Sequence, residues 1–385
     1  MSEVQAVHII RAFFCAAVVT AACVAQDPGA AKAPAGPLAF PELPDPLARV
    51  DGSRVETREA WQERRGEIAE LLLSVEYGHM PPAPGNLRVE DSASTSVLDG
   101  AAELRRATVS MGPENKASMH VAYYLPSGGK GPYPVVLALE PVWEEHLLPV
   151  AKKCIDAGYI FAGYERHDLD RDDSDRSDGV HPLYPEYDWA SLAVWAWGAM
   201  RMVDYLATQP EVDAMRIVLT GHSRAGKAAL LAGALDERIA VTVPHASGAG
   251  GAGSYLIVEK GVETLALITE PARFHYWFHP RLAEFAGKEK ELPFDQHFLR
   301  ALVAPRALLS IDGLEDQWAN PKGTDAMYRA AQPVFDLLGA GPMNAAYFRP
   351  GGHDTNMEDW DVLLEFANHV FRGVPLTHDL QGLRR

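Results

Sequence analysis

From residue 134 onward the chain repeats one pattern: a short apolar run, a turn, then a longer stretch with apolar residues at helical spacing. The runs are residues 134–139, 159–163, 216–220, 239–243, 307–311 and 344–348, and the clearest helical stretches are 189–208 and 357–371. Strands that are apolar at nearly every position are covered on both faces, and their alternation with helices produces a parallel sheet between two helical layers. The sequence therefore predicts an α/β fold in three layers, with a mostly parallel central sheet flanked by helices. Ligands of such sheets bind beyond the carboxyl ends of the strands, so chemistry is expected in the residues that follow each run.

The rest of the chain is arranged around this unit. Residues 58–77 carry apolar positions at helical spacing and are followed by Pro81-Pro82, which predicts a peripheral helix stopped by the prolines. Between residues 87 and 125 short β-like runs alternate with turn clusters, as antiparallel strands at a sheet edge would. Residues 1–25 read as a signal peptide, Arg11 preceding an apolar run of small residues too short to span a bilayer comfortably. Residues 26–40 form a Pro/Ala/Gly-rich linker, and residues 41–385 are expected to be one domain with no integral membrane span. The protein should be secreted or periplasmic. Cys23, after Ala21-Ala22, leaves open a lipoprotein site, but Thr20 stands where a large aliphatic residue is usual. Cleavage after Ala25 would leave Cys154 alone, so no internal disulfide is expected, and its helical setting suits a buried thiol.

A formal net charge of −17 without a basic cluster excludes a nucleic-acid partner. The acidic stretch 167–178 alternates carboxylates with Arg and lacks the glycine turn of a calcium loop, so it reads as a solvated loop.

The run 216–220 leads directly into Gly221-His222-Ser223-Arg224-Ala225-Gly226-Lys227 and then a helical pattern. Small residues around a serine between strand and helix are what a sharp turn needs to expose a nucleophile, with the helix N-terminus directed at a developing oxyanion. Ala225 stands where a second glycine is usual, and Gly226 follows one step later. A serine before a helix can also be only a cap. Against that, an acid segment (Asp312, Glu315, Asp316) follows one late run and His353 follows the next, giving the serine, acid, histidine order of a hydrolase. His353 is the expected base; Asp316 is preferred as its acid, with Glu315 and Asp312 as alternatives. No metal is implied, since His275, His279 and His297 lack the paired helical spacing of a zinc site. The glycine pattern from Gly248 to Gly253 has no ribose partner at nucleotide-site spacing and reads as a wall of the active site.

With these residues in place, the chain resembles the glucuronoyl esterases, carbohydrate esterase family 15, over residues 132–372. The GHSRAGK elbow carries most of the resemblance, supported by DWASLAVWAWGAMR, LPFDQHFLRALVAPR, EDQWANP and HDTNMEDW. The resemblance implies an α/β-hydrolase fold and cofactor-free cleavage of the ester between the 4-O-methyl-glucuronate of xylan and a lignin alcohol. It also implies roles: Ser223 as nucleophile, His353 as base, Arg224 at the oxyanion, and Lys227, Glu263 and Trp318 on the uronate hydroxyls. One departure concerns the acid. Many members carry a glutamate before the Ser-Gly of the glycine-rich loop, where this chain has Ala246, and Asp316 matches an acid of some bacterial members. The alternatives to a uronate ester substrate are an acetyl-xylan or other carbohydrate O-acyl ester, or an inactive hydrolase fold that binds polysaccharide.

Overall fold

The computed structural model describes residues 43–383, so the expected signal peptide and linker lie outside the described residues. Helix α1 (Arg58–Leu72) starts where the Thr57 hydroxyl accepts the Ala60 N–H at 3.1 Å, and it buries Trp61, Arg64, Ile68 and Leu72 along one stripe. A wider turn, Leu73–Tyr77, extends it to Gly78. The helix ends there, ahead of Pro81-Pro82, because Gly78 takes a positive φ of 79° and a Cβ at that position would lie 2.5 Å from the Trp189 Cα.

Nine strands form one sheet: β1 (Arg88–Val97), β2 (Ala102–Met111), β3 (Ala117–Pro126), β4 (Tyr133–Ala138), β5 (Ile160–Tyr164), β6 (Val212–His222), β7 (Ile239–His245), β8 (Ala307–Gly313) and β9 (Asn344–Arg349). Their spatial order is β1-β2-β3-β5-β4-β6-β7-β8-β9. The pairs from β1 to β5 are antiparallel and those from β5 through β4 to β9 are parallel, so the expected antiparallel edge is present. Helices α2 (Leu148–Asp156), α3 (Ser191–Leu206), α4 (Arg224–Leu235), the single turn α5 (Leu265–Ile268), α6 (His297–Val303), α7 (Pro321–Leu337) and α8 (Met357–Arg372) complete the chain.

The period-two geometry of a strand sends alternate side chains to opposite faces, and the core divides accordingly. Val135, Leu137, Ile217 and Leu219 join the core beneath α1, α3, α4 and α6, whereas Val136, Ala138, Val218 and Val241 join the one beneath α2 and α8. Helix α3 is apolar almost all round and correspondingly buried. The indole N–H of Trp195 donates to the Asp170 carbonyl at 2.8 Å and that of Trp197 to Pro81 at 3.0 Å, so these large rings are buried with their polar atoms satisfied. Cys154 is a buried free thiol, its pKa raised by burial, as expected of a structural cysteine.

Helix α4 lies close against β7, and Gly233 marks the closest approach: a Cβ there would overlap the Thr242 hydroxyl and sit 2.7 Å from its methyl group. Alanine gains about 1 kcal/mol over glycine in a helix, yet overpacking costs about 1–3 kcal/mol. Gly233→Ala should therefore lower the denaturant midpoint, and a higher midpoint would show that this packing relaxes freely.

Candidate active site

The site forms where β6 turns into α4. Ser223 has φ 55° and ψ −121°, a conformation that disfavours a side chain and stores about 1–3 kcal/mol of strain. The flanking glycines follow from that turn. A Cβ on Gly221 would lie 2.6 Å from the Ala225 carbonyl carbon, and one on Gly226 would lie 2.9 Å from the Gly221 oxygen and 3.0 Å from that of His245. The second glycine is thus needed at Gly226, where backbone meets backbone, while Ala225 packs into the core. The Ser223 N–H donates to the His245 carbonyl at 2.9 Å, tying the turn to the end of β7.

The Ser223 side chain makes no capping bond to α4; its Oγ lies 3.0 Å from His353 Nε2. The Nδ1 of that ring lies 2.7 Å from Asp316 Oδ2, and the buried Asp316 accepts the Ala319 N–H at 3.1 Å through its other oxygen. Of the three acids in the segment, Asp316 is therefore the one in contact with the imidazole. Glu315 turns outward and accepts the Gly351 N–H. Asp312 is buried within β8, and burial, reinforced by the charge of Asp316, pushes its carboxyl up to about 7. The bond to Asp316 raises the His353 pKa above the ordinary histidine value against the opposing effect of partial burial.

Two braces hold the loop that carries His353. Arg349 and Asp359 form a buried pair at 2.6 Å, and Arg349 also donates to the Asp354 carbonyl. His222 Nε2 lies 2.6 Å from the His353 carbonyl, with the two rings 4.7 Å apart, and burial lowers the His222 pKa. The sequence names His222 only as part of the elbow; its contact with His353 joins residues 131 positions apart.

Lys227 and Glu263 are both buried and meet at 2.6 Å. The same ammonium donates to the Ser247 carbonyl at 2.7 Å and the Ala249 carbonyl at 2.5 Å, so its three N–H groups hold the glycine-rich loop and the carboxylate together. Burial pulls the Lys227 pKa down, against the attraction of Glu263. Gly248 has a positive φ of 58°, and a Cβ there would lie 2.6 Å from Glu263 Oε2. Half-buried Trp318 is joined to this cluster through its carbonyl, which accepts the Glu263 N–H at 2.9 Å. Lys227 stands one turn after Ser223, whose carbonyl accepts the Lys227 N–H at 3.1 Å, so the pair is anchored to the turn that carries the serine.

Arg224 occupies the first position of α4, and its guanidinium pairs with Asp172. It lies 4.9 Å from the Trp277 ring centre and 5.9 Å from that of Phe274. This corrects the reading of residues 167–178 as a solvated loop. Most of its side chains are exposed, but Asp170 is buried and Asp172 is turned inward onto Arg224. Composition does not reveal which carboxylate of an acidic loop faces inward. Glu76, also unmarked in sequence, is fully buried, accepting from Tyr255 and Gln296 at 2.7 Å each, and burial raises its pKa to about 7.

A model of fungal glucuronyl esterases matches residues 108–339. The chain belongs to the glucuronoyl esterase family. It is 32% identical to a carbohydrate esterase of an unknown prokaryotic organism, with 86% of this chain and 90% of that protein covered. It is 30% identical to 4-O-methyl-glucuronoyl methylesterase 1 of Wolfiporia cocos, over 81% of this chain and 75% of the relative. The solved glucuronoyl esterase of carbohydrate esterase family 15 from Caldicellulosiruptor kristjansonii superposes with a TM-score of 0.77 at 33% identity, covering 89% of this chain and 94% of that one. The family is one of carboxylic ester hydrolases of the α/β-hydrolase fold, and this chain is such an enzyme.

The geometry around His353 generates two predictions. Asp316→Asn should lower kcat by on the order of 10³–10⁴-fold, because the imidazole loses the partner that fixes its tautomer. Glu315→Gln should cost at least about tenfold less, since its carboxylate bonds only backbone; kinetics showing the reverse order would assign the acid to Glu315. The second concerns pH: a base must be neutral, so kcat/KM of the wild type should rise as pH passes upward through the raised His353 pKa. Asp316→Asn removes the main cause of that rise, so the acidic limb of its residual profile should move to lower pH.

Proposed function

We propose that this glucuronoyl esterase family member is an exported serine esterase that cleaves the ester joining the (4-O-methyl-)glucuronate of xylan to a lignin alcohol. The observation that carries this reading is the Ser223–His353–Asp316 chain of contacts, at 3.0 and 2.7 Å, beside a buried Lys227–Glu263 pair. Export rests on the sequence of residues 1–25; among the described residues no helix is long and apolar enough to cross a membrane.

In this mechanism Ser223 Oγ attacks the ester carbonyl carbon while His353 Nε2 takes its proton. The carbonyl oxygen becomes an oxyanion, met by the backbone N–H of Arg224 at the start of α4 and by its guanidinium. Collapse of the intermediate breaks the bond to the alcohol oxygen, which receives the proton from His353. Water then repeats the sequence on the glucuronoyl-serine ester, releasing the uronate and restoring the Ser223 hydroxyl. Asp316 holds the ring in position throughout.

Recognition of the sugar falls to Glu263 and Trp318. Lys227 cannot donate to a sugar hydroxyl without giving up one of its three internal bonds, so its part is to hold Glu263 in place. Glu263 accepts from Lys227 through one oxygen, and its second oxygen is suited to a sugar hydroxyl. Trp318, half-buried, is joined to Glu263 through its carbonyl.

Benzyl or methyl glucuronate should be hydrolysed in preference to a small acetyl ester; the opposite preference would make the chain an O-acyl esterase, and failure of a fluorophosphonate to label Ser223 would make it a binding protein. Ser223→Ala and His353→Ala should each lower kcat by at least about 10³-fold with little change in Tm. Glu263→Gln should raise KM for methyl glucuronate roughly tenfold or more relative to an aryl acetate, as loss of a charge-assisted hydrogen bond does. Lys227→Ala leaves Glu263 buried without its cation, a change that costs about 3–5 kcal/mol, so a fall in Tm, and not a pure KM effect, is the expected result.

A further inference from the structure

Cleavage of a uronate ester, the reading on which this inference rests, poses an electrostatic problem at Arg224. The substrate's carboxyl is esterified and neutral, whereas the product is a carboxylate released within reach of the guanidinium that met the oxyanion. An uncompensated cation in a partly desolvated cleft would hold that anion. We propose that Asp172 is the positioning residue of Arg224 and its counter-charge, fixing the guanidinium at the oxyanion while keeping the site from trapping the uronate product.

The geometry supports both parts. Asp172 Oδ2 accepts from Arg224 Nη1, while its Oδ1 accepts the Trp277 indole N–H at 2.7 Å and lies 3.1 Å from the Tyr276 hydroxyl. That hydroxyl also lies 2.7 Å from the Asp172 carbonyl oxygen. The carboxylate is therefore held by groups other than Arg224, and it provides a fixed point against which the long, flexible arginine is set. Behind the guanidinium, Phe274 and Trp277 stack with centroids 4.1 Å apart and planes 12° from parallel, and Arg224 lies on this pair. Trp277 both carries the cation on its face and holds the anion through its N–H. Asp172 engages one nitrogen of the guanidinium, which has five N–H donors, so the pairing restrains the group and leaves donors for the ester oxygen. Only 19% of the Asp172 side chain is exposed, against 38% for Arg224, so the carboxylate sits on the protein side of the pair. Burial works against its ionisation, but the Trp277 N–H and the Arg224 charge outweigh it and keep the Asp172 pKa below the ordinary carboxylate value.

The test is a double-mutant cycle of Asp172→Asn and Arg224→Ala, with Asp172→Glu as a third variant, assayed on methyl glucuronate and in parallel on 4-nitrophenyl acetate. Product inhibition is read with sodium glucuronate. Asp172→Asn should lower kcat on both esters roughly tenfold with little change in KM, a smaller loss than removal of an oxyanion donor. It should also lower Ki for glucuronate about fivefold or more, because the guanidinium is left uncompensated. On the Arg224→Ala background the same change should alter neither quantity by more than about twofold. Asp172→Glu restores the charge at a displaced position, so Ki should return toward the wild-type value while kcat stays low; this variant decides the question if Asp172→Asn does not fold. An equal kcat loss with and without Arg224 would make Asp172 merely structural, and an unchanged Ki would remove the counter-charge role; either overturns the proposal. The acetate series tests the coupling to Arg224 independently, whereas failure of the wild type on methyl glucuronate would overturn the uronate reading itself.

Discussion

The positive φ of Ser223 is the constraint on which the site depends. A residue with a side chain adopts it only where the surroundings leave no alternative. Here β6 is held between β4 and β7, the Ser223 N–H is tied to His245, and α4 is buried for most of its length immediately after the turn. The consequences run outward from that point. Glycine is required at positions 221 and 226 by backbone contact, Arg224 becomes the first residue of α4, and Lys227, one turn later, points its ammonium at the carbonyls of the glycine-rich loop.

Charge is brought into the interior around this turn under a consistent rule: each buried ion has a partner of opposite charge or several hydrogen bonds. Lys227 has Glu263 and two carbonyls, Asp316 has His353 and a backbone N–H, and Arg349 has Asp359. Buried Arg300, its pKa pulled down to about 9 by burial, bonds Asn344, Ser310 and the Ala345 carbonyl at 2.5–2.6 Å. Those acceptors lie on β8 and β9, the strands that lead to Asp316 and His353. Where a carboxyl lacks such a cation, as with Asp312 and Glu76, burial raises its pKa to about 7. Asp316, bonded to His353 and the Ala319 N–H, and Asp312, four residues earlier, thus differ in their partners.

Much of this arrangement is legible in the order of the residues. Apolar runs mark each parallel strand to within a few residues, since a strand covered on both faces has no polar positions to blur its pattern. The elbow, His353 and the acid segment 312–316 stand out because loop residues after strand ends are free of packing demands, so their identity reports chemistry. The helix stop at Gly78 is less visible, because the reason for that glycine is the Asp188-Trp189 backbone more than a hundred residues away. The inward turn of Asp172 is hidden for a similar reason: nothing local distinguishes it from Asp173 or Asp175, which are exposed.

The sequence by itself determined the layers, the position of the serine elbow and the order of the triad candidates, because those depend on periodicity and on which residue types stand at strand ends. Tertiary structure decided which of three neighbouring acids touches His353, that the protons of Lys227 are engaged within the protein, and that one carboxylate of an acidic loop holds Arg224. Each of these is a contact between segments far apart in the chain. Local pattern fixes which way a backbone runs, but the direction of a polar side chain is set by the partner it meets, and that partner is chosen only when the sheet order brings the loops together.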